Sequence, residues 1–200
     1  MYEDYFVPFP VIETERLVLR MVKRSDAKQL FDHCSLKETS QFSLWSPHKT
    51  LRDTKDFIAY QHSLYKKKQC YFFVVEDKLS KEVIGTCSYV SMEMEDKVCE
   101  IGYSIIKPLW NCGFGTETAL ALTEFAFKRI GAQRVFARVL PQNIASAKVL
   151  EKIGFLNEGR LKKGYYYNEK VSDVDVFGIT DTMFKEVELN GIKKNCKLPG

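Results

Sequence analysis

Two stretches carry residues whose types and spacing suit chemistry. The first is LWNCGFGTETA, Leu109 to Ala119, where Gly113 and Gly115 stand one residue apart at the mouth of a predicted helix. A glycine-bearing turn ahead of a helix leaves successive backbone N–H groups without partners, and the helix dipole adds positive potential there. Glycine also lets the backbone approach an anion with no Cβ in the way, so phosphate and pyrophosphate are the common occupants. A plain turn with Thr116 as N-cap is the other reading of the same residues. The patterns G-x-x-x-x-G-K-[ST] and G-x-G-x-x-G both fail, because Gly113-Phe114-Gly115 continues as Thr116-Glu117-Thr118. The second stretch is PQNIASAKVLEKIGF, Pro141 to Phe155. Asn143 suits an N-cap with Ser146 three positions on, and Gly154 before Phe155 reads as a left-handed stop. Taken singly, these residues are accounted for by capping alone.

The six cysteines, Cys34, Cys70, Cys87, Cys99, Cys112 and Cys196, form no C-x-x-C pair and have no short His/Cys cluster beside them. No metal site is expected. Most lie in or beside apolar runs, as reduced buried thiols do, and the N-terminus lacks a basic start, apolar core and cleavage site. The expected location is cytoplasmic. No apolar run nears the roughly 20 residues that span a bilayer, so no membrane partner is expected. The 200 residues, 45% apolar and 13% aromatic, are enough for one compact domain. A formal charge of +4 arises from 30 basic and 26 acidic residues spread along the chain. No stripe of Lys/Arg interleaved with aromatics marks a nucleic-acid surface.

The elements that must position these residues follow from periodicity. RLVLRMV, Arg16 to Val22, alternates as a half-buried strand, and Ser25 and Asp26 are N-cap candidates for a helix through Ala27, Leu30, Phe31 and Cys34. Beyond SLWSPHKT, the segment Leu51 to Lys66 sets Phe57, Ile58, Tyr60 and Leu64 near helical spacing. CYFFVVED, EVIGTCSYVSM and VCEIGYSII read as an antiparallel meander, and strands without intervening helices disfavour a βαβ nucleotide unit. Thr116 to Ile130 then places Ala119, Leu122, Ala126 and Ile130 on one helical face, closed by Gly131. RVFARVL is a strand, the Asn143 segment a short helix, and two strand-like runs end near Thr180. In the tail, TMFKEVEL is a candidate helix and NGIKKNCKLPG reads as frayed. The order is strand, two helices, three strands, helix, strand, helix, two strands, an α/β (α+β) arrangement.

The segments IETERLVLRMV, EIGYSIIKPLWNCGFGTETALALTEFAF and RVFARVLPQNIASAKVLEKIGFLNEGRLKKGYYYNEKVSDVDVFGI closely resemble the GNAT superfamily of N-acetyltransferases, specifically its RimJ/RimL-like branch. The resemblance runs from about Ile12 to Thr180. It implies an N-terminal arm over 1–11, a GNAT acetyltransferase domain over 12–180 and a C-terminal extension over 181–200. The implied fold is a mixed, mostly antiparallel central sheet flanked by helices. Two central strands splay apart, and acetyl-CoA, as cosubstrate, sits in the V. Trp110 to Thr116 corresponds to the pyrophosphate loop.

The same resemblance assigns roles. The strand end at Tyr103, Ile105 and Ile106 pairs its backbone with the pantetheine arm. The N–H groups of Asn111, Cys112, Gly113, Phe114, Gly115 and Thr116 take the pyrophosphate, so Cys112 is expected to be a bystander and Trp110 a packing anchor. Acetyl transfer to an amine requires a deprotonated amine, a stabilised oxyanion and help for the departing thiolate. Glu100 matches a carboxylate that takes the amine proton directly or through water, its bland reading being an edge-exposed glutamate. A backbone N–H of the splayed strand is the oxyanion donor. Asn143 and Ser146 match positions that contact the cofactor and the leaving sulfur. Many members carry a general-acid tyrosine seven residues after the asparagine, where this chain has Leu150, which leaves Ser146 to assist the thiolate. Trp45, His48, Tyr166 and Asp173 are the acceptor-site candidates. The implied function is direct transfer of acetyl, through a ternary complex, to a primary amine. That amine is a protein N-terminal α-amine, as in ribosomal-protein acetylation, or a small-molecule amine. The alternative is a catalytically inactive GNAT domain serving as an acyl-CoA sensor or interaction module. The expected partner is the amine acceptor, and a homodimer is the assembly considered.

Overall fold

A computed structural model describes residues 5–36, 42, 46–67, 69, 71–93, 95–167, 170–189 and 196–197. The elements run β1 (Ile12–Thr14), β2 (Leu17–Arg20), α1 (Ala27–Cys34), α2 (Leu51–Lys66), β3 (Phe72–Asp77), β4 (Val83–Glu93) and β5 (Val98–Ile105). They continue with α3 (Phe114–Phe125), β6 (Arg134–Val139), α4 (Ile144–Lys152), β7 (Leu156–Tyr167), β8 (Lys170–Thr180), α5 (Asp181–Leu189) and β9 (Cys196–Lys197). The strands form one sheet in the order β7-β8-β6-β5-β4-β3-β2-β1-β9. Every neighbouring pair is antiparallel except β5 with β6.

Both faces of the sheet are covered, which explains why FFVVED is a continuous apolar run rather than an alternating one. Phe73 and Val75 pack on one face with Ile101, Ile105, Leu122 and Phe125. Val74 points the other way, onto Val22, Leu30 and Ile58 of the α1/α2 layer. Residues towards both ends of the described chain join this core. Phe6 is buried with its ring 4.6 Å from that of Tyr71, and Phe184 of α5 is buried with its ring 5.2 Å from that of Phe127. β9 pairs with β1; the rest of NGIKKNCKLPG lies outside the described residues.

Local chemistry departs from the sequence expectation at two helix starts and one strand. The expected strand at Arg16 to Val22 is preceded by a separate β1, and the two are joined by a bend in which Leu17 N–H donates to Thr14 Oγ1 at 2.9 Å. Asp26 does not cap α1. Its carboxylate instead accepts from Lys23 N–H at 2.7 Å and from Arg20 at 2.8 and 3.1 Å, closing a 3-10 turn over Arg24–Asp26. Thr50 caps α2 in a reciprocal box with Asp53. α3 starts at Phe114 with Gly113 as its N-cap, two residues before Thr116, and its last turn widens into a π-helical turn over Ala126–Ile130 ahead of left-handed Gly131. Asn143 caps α4 as expected, and Gly154 is left-handed at φ +94°.

One buried carboxylate ties the first turn of α3 to the β1–β2 bend. Glu117 accepts from Arg16 N–H at 2.9 Å, from Arg16 Nε at 2.7 Å and from the Thr14 hydroxyl. Arg16 also donates through Nη1 to Cys112 O at 3.0 Å and lies 4.2 Å from the Phe114 ring centroid. A carboxylate in the first turn is further favoured by the helix dipole. Replacing Glu117 by Ala strands one backbone donor, Arg16 N–H, and two side-chain donors, Arg16 Nε and the Thr14 hydroxyl. The expected loss is about 2–4 kcal/mol, read as a lowered urea midpoint; an unmoved midpoint would show that this network holds nothing together.

Candidate active site

β5 runs beside β6 for only three residue pairs, Val98 with Arg134, Cys99 with Val135 and Glu100 with Phe136. Beyond them β5 stays paired to β4 as far as Ile105, and β6 to β8 as far as Val139. The two facing backbone edges therefore part. A bulge helps them do so: the β4–β5 register shifts between Tyr89 and Ser91, opposite Ile101 and Glu100, and a bulge bends and twists its strand.

An ion pair sits in the fork. Glu100 is the last paired residue of β5, and Arg138 lies two residues past its partner Phe136, on the same face of β6 by strand alternation. Arg138 Nε and Nη2 donate to the two Glu100 oxygens at 2.8 and 3.0 Å. Glu100 is 4% exposed, so it is not an edge glutamate; the bidentate guanidinium is what makes a buried carboxylate tolerable. Hydrogen bonding to Glu100 raises the Arg138 pKa above its ordinary value.

The fork opens into a cavity of about 290 Å³. Its β5 wall runs from Glu100 to Ser104 and its β6 wall from Ala137 to Leu140, with Asn143 and Ser146 at the start of α4. Asn143 Oδ1 accepts from Ser146 N–H at 3.2 Å, and Ser146 Oγ lies 3.0 Å from the Tyr103 hydroxyl. Burial pushes the Tyr103 phenol well above its ordinary pKa. Phe57, Phe72, Gln61 and Tyr165 line the cavity towards the α1/α2 layer and the β7–β8 hairpin. His48 joins them, its Nδ1 2.8 Å from Thr54 Oγ1 and its pKa lowered by burial against an opposing pull from Asp53.

The glycine loop lies at the outer end of β5. Trp110 Nε1 donates to Ile105 O at 2.7 Å, which anchors the loop to the strand. Asn111 at φ +61° and Gly113 at φ +85° are left-handed, and a left-handed residue leading into a right-handed helix start is the geometry of an anion-binding nest. Cys112 is exposed.

The structure thus brings Glu100, Tyr103, Asn143, Ser146 and His48 to one cavity. Ile105 is buried behind it, in the core, and Ile106 is partly buried beside that core. Tyr166 is 70% exposed and does not line the cavity; its neighbour Tyr165 does, because successive strand residues face opposite sides. Asp173 also stands outside the lining. Its carboxylate holds the hairpin by accepting from Lys163 N–H and Lys162 Nζ, both at 2.9 Å, which lowers its pKa. Trp45 lies outside the described residues. Arg138 and Tyr165 were not expected; the one sequence signal for Arg138 is an arginine at an alternate position of RVFARVL. Among the described residues no cluster of His, Cys, Asp and Glu forms a candidate metal site, and no helix is long and apolar enough to cross a membrane.

Residues 16–156 match the family model for the acetyltransferase (GNAT) domain. The chain belongs to the GNAT family. It is similar to the uncharacterized N-acetyltransferase YoaA of Bacillus subtilis, 31% identical over 171 residues that cover 86% of this chain and 97% of the relative. It is also similar to the [ribosomal protein uS5]-alanine N-acetyltransferase of Escherichia coli, 26% identical over 166 residues, 78% of this chain and 83% of the relative. Its fold matches a RimL ribosomal L7/L12 α-N-protein acetyltransferase solved with coenzyme A, at TM-score 0.72 and 21% identity over 85% of this chain and 97% of that one. This GNAT protein is an acyl-CoA-dependent N-acetyltransferase.

Removing one partner of the fork pair leaves a buried charge alone. Arg138→Ala is expected to lower stability by about 2–3 kcal/mol, less than the roughly 3–5 kcal/mol for breaking a fully buried pair because Arg138 is itself partly exposed. Adding Glu100→Gln to that variant should return most of the loss, since an amide needs no cation; denaturant unfolding of the three proteins decides it.

Proposed function

We propose that this GNAT enzyme transfers acetyl from acetyl-CoA to a protein N-terminal α-amine, in a ternary complex assembled across the fork. The observation that carries the reading is the fork itself: a carboxylate–guanidinium pair on one side and the Asn143–Ser146 start of α4 on the other, with an open β5 edge between them. Past its last pair with β6, the N–H and C=O groups of β5 that face away from β4, short of the Ile105 carbonyl held by Trp110, suit an extended amide-bearing arm, which would add to the sheet as a strand does. The N–H groups from Asn111 to Thr116 suit the pyrophosphate.

Each chemical demand has a candidate. Glu100 accepts the amine proton through water; two of its lone pairs are engaged by Arg138, and a carboxylate offers about four. A backbone N–H of β5 at the fork donates to the tetrahedral oxyanion. As the C–S bond breaks, Ser146 donates to the sulfur. The acceptor class rests on the uS5-alanine relative, and the size of the cavity agrees with it. About 290 Å³, shared with the thioester end of the cofactor and walled by Phe57 and Phe72, admits a small first residue better than a large one.

A thiol-release assay over a panel of amines tests the acceptor. Peptides beginning with Ala or Ser are expected to be turned over ahead of small-molecule amines; coenzyme A binding with no thiol released from any amine would sink the reading. Ser146→Ala is expected to lower kcat by roughly 10- to 1000-fold with little change in acetyl-CoA affinity. An unchanged kcat would remove Ser146 from the mechanism.

A further inference from the structure

Resting on the acetyltransferase reading above, we propose that Tyr103 is a positioning residue for thiolate departure, its phenol donating to Ser146 Oγ so that the Ser146 hydrogen is left to the sulfur. Its ring reaches α4 from β5, and Tyr103 Oη stands 3.0 Å from Ser146 Oγ and 3.4 Å from Ser146 O. The shorter contact is the better hydrogen bond. With the phenol as donor and Ser146 Oγ as acceptor, the 3.0 Å contact takes the direction the proposal requires, and a phenol that stays protonated always has that hydrogen to give. A hydroxyl that already accepts one bond keeps its own hydrogen for a third partner, and that partner is whatever occupies the cavity Ser146 lines.

The rest of the neighbourhood fixes where the two hydroxyls stand. Asn143 Oδ1 holds Ser146 N–H, which sets the start of α4 and hence the place of Oγ. The Tyr103 ring lies against the first turn of α3, where a Cβ on Gly115 would stand 3.9 Å from Tyr103 Cε2. Tyr103 therefore links β5, the head of α3 and the head of α4. Leu150, farther along α4, has no exposed surface and packs in the core, so α4 itself brings no phenol to the cavity. The phenol comes from the strand instead.

The proton and electron balance is simple. When the C–S bond breaks, the pair stays on sulfur, Ser146 O–H donates to the thiolate, and Tyr103 O–H donates to Ser146 Oγ. No proton leaves Tyr103, because burial holds its phenol protonated and makes it a permanent donor. The thiolate takes its proton from water as the product is released. Two donors in series polarise one another, so the bond to sulfur is stronger than the serine alone would make.

Tyr103→Phe keeps the ring and removes the donor. Its kcat is expected to fall about 5- to 50-fold, with the acetyl-CoA KM within about twofold of the parent. Tyr103→Phe combined with Ser146→Ala should be no slower than Ser146→Ala alone, because the phenol acts only through Oγ. Losses that multiply, or an unchanged kcat, would overturn the proposal. Bound coenzyme A gives a readout free of turnover: the pH midpoint of its ultraviolet thiolate absorbance should rise in Tyr103→Phe. Should that variant fail to fold by circular dichroism, 3-fluorotyrosine at position 103, a stronger donor, should lower the same midpoint. An unmoved midpoint overturns the role of Tyr103 alone, whereas a parent enzyme that releases no thiol from any amine overturns the acetyltransferase reading.

Discussion

Backbone hydrogen bonds hold β5 to β6 only as far as Glu100 and Phe136; past that point each strand keeps its outer neighbour and loses its inner one. Open N–H and C=O edges in the middle of a sheet are unfavourable unless something pairs with them. Two devices make the opening stable. The Arg138–Glu100 pair bridges the strands where they part, and the bulge in β4 at Val90 gives β5 the extra twist to turn away. Glu100, Tyr103, Asn143 and Ser146 all line the cavity at the resulting gap.

The gap has a head and a floor, and separate interactions hold each. At the head, Glu117 and Arg16 lash the glycine loop and the first turn of α3 to the β1–β2 bend, while Trp110 fastens the other end of the loop to Ile105 O. At the floor, Asn143 sets the start of α4 and Tyr103 touches Ser146. Rigid secondary elements carry both ends, which is how a site keeps donors in place without reorganising them during the reaction.

Much of the architecture was legible from residue order. Periodicity located the helices and strands, and the stop and cap residues Gly131, Asn143 and Gly154 behave in the structure as their local chemistry predicts. Capping was misread where a side chain had a stronger partner elsewhere. Asp26 looked like a helix cap but is taken by Arg20, and Thr116 looked like one but sits inside a helix that Gly113 opens. Tyr166 and Asp173 show the limit of motif transfer within a hairpin. One residue of alternation separates a cavity-facing tyrosine from an exposed one, and the Asp173 carboxylate is spent on Lys162 and Lys163.

By itself the sequence determined the element order and the family and singled out Glu100, Asn143 and Ser146 as candidates, because these readings depend on local propensity and on motifs a few residues long. It also placed Gly113 at the mouth of α3, whereas Gly115 falls within the helix. Only the tertiary structure decided what those residues touch. Arg138 meets Glu100 across 38 positions, Tyr103 meets Ser146 across 43 and Arg16 meets Glu117 across 101. Strand register and the point where β5 leaves β6 set those meetings, and register is fixed by the packing of whole faces rather than by any short stretch of chain.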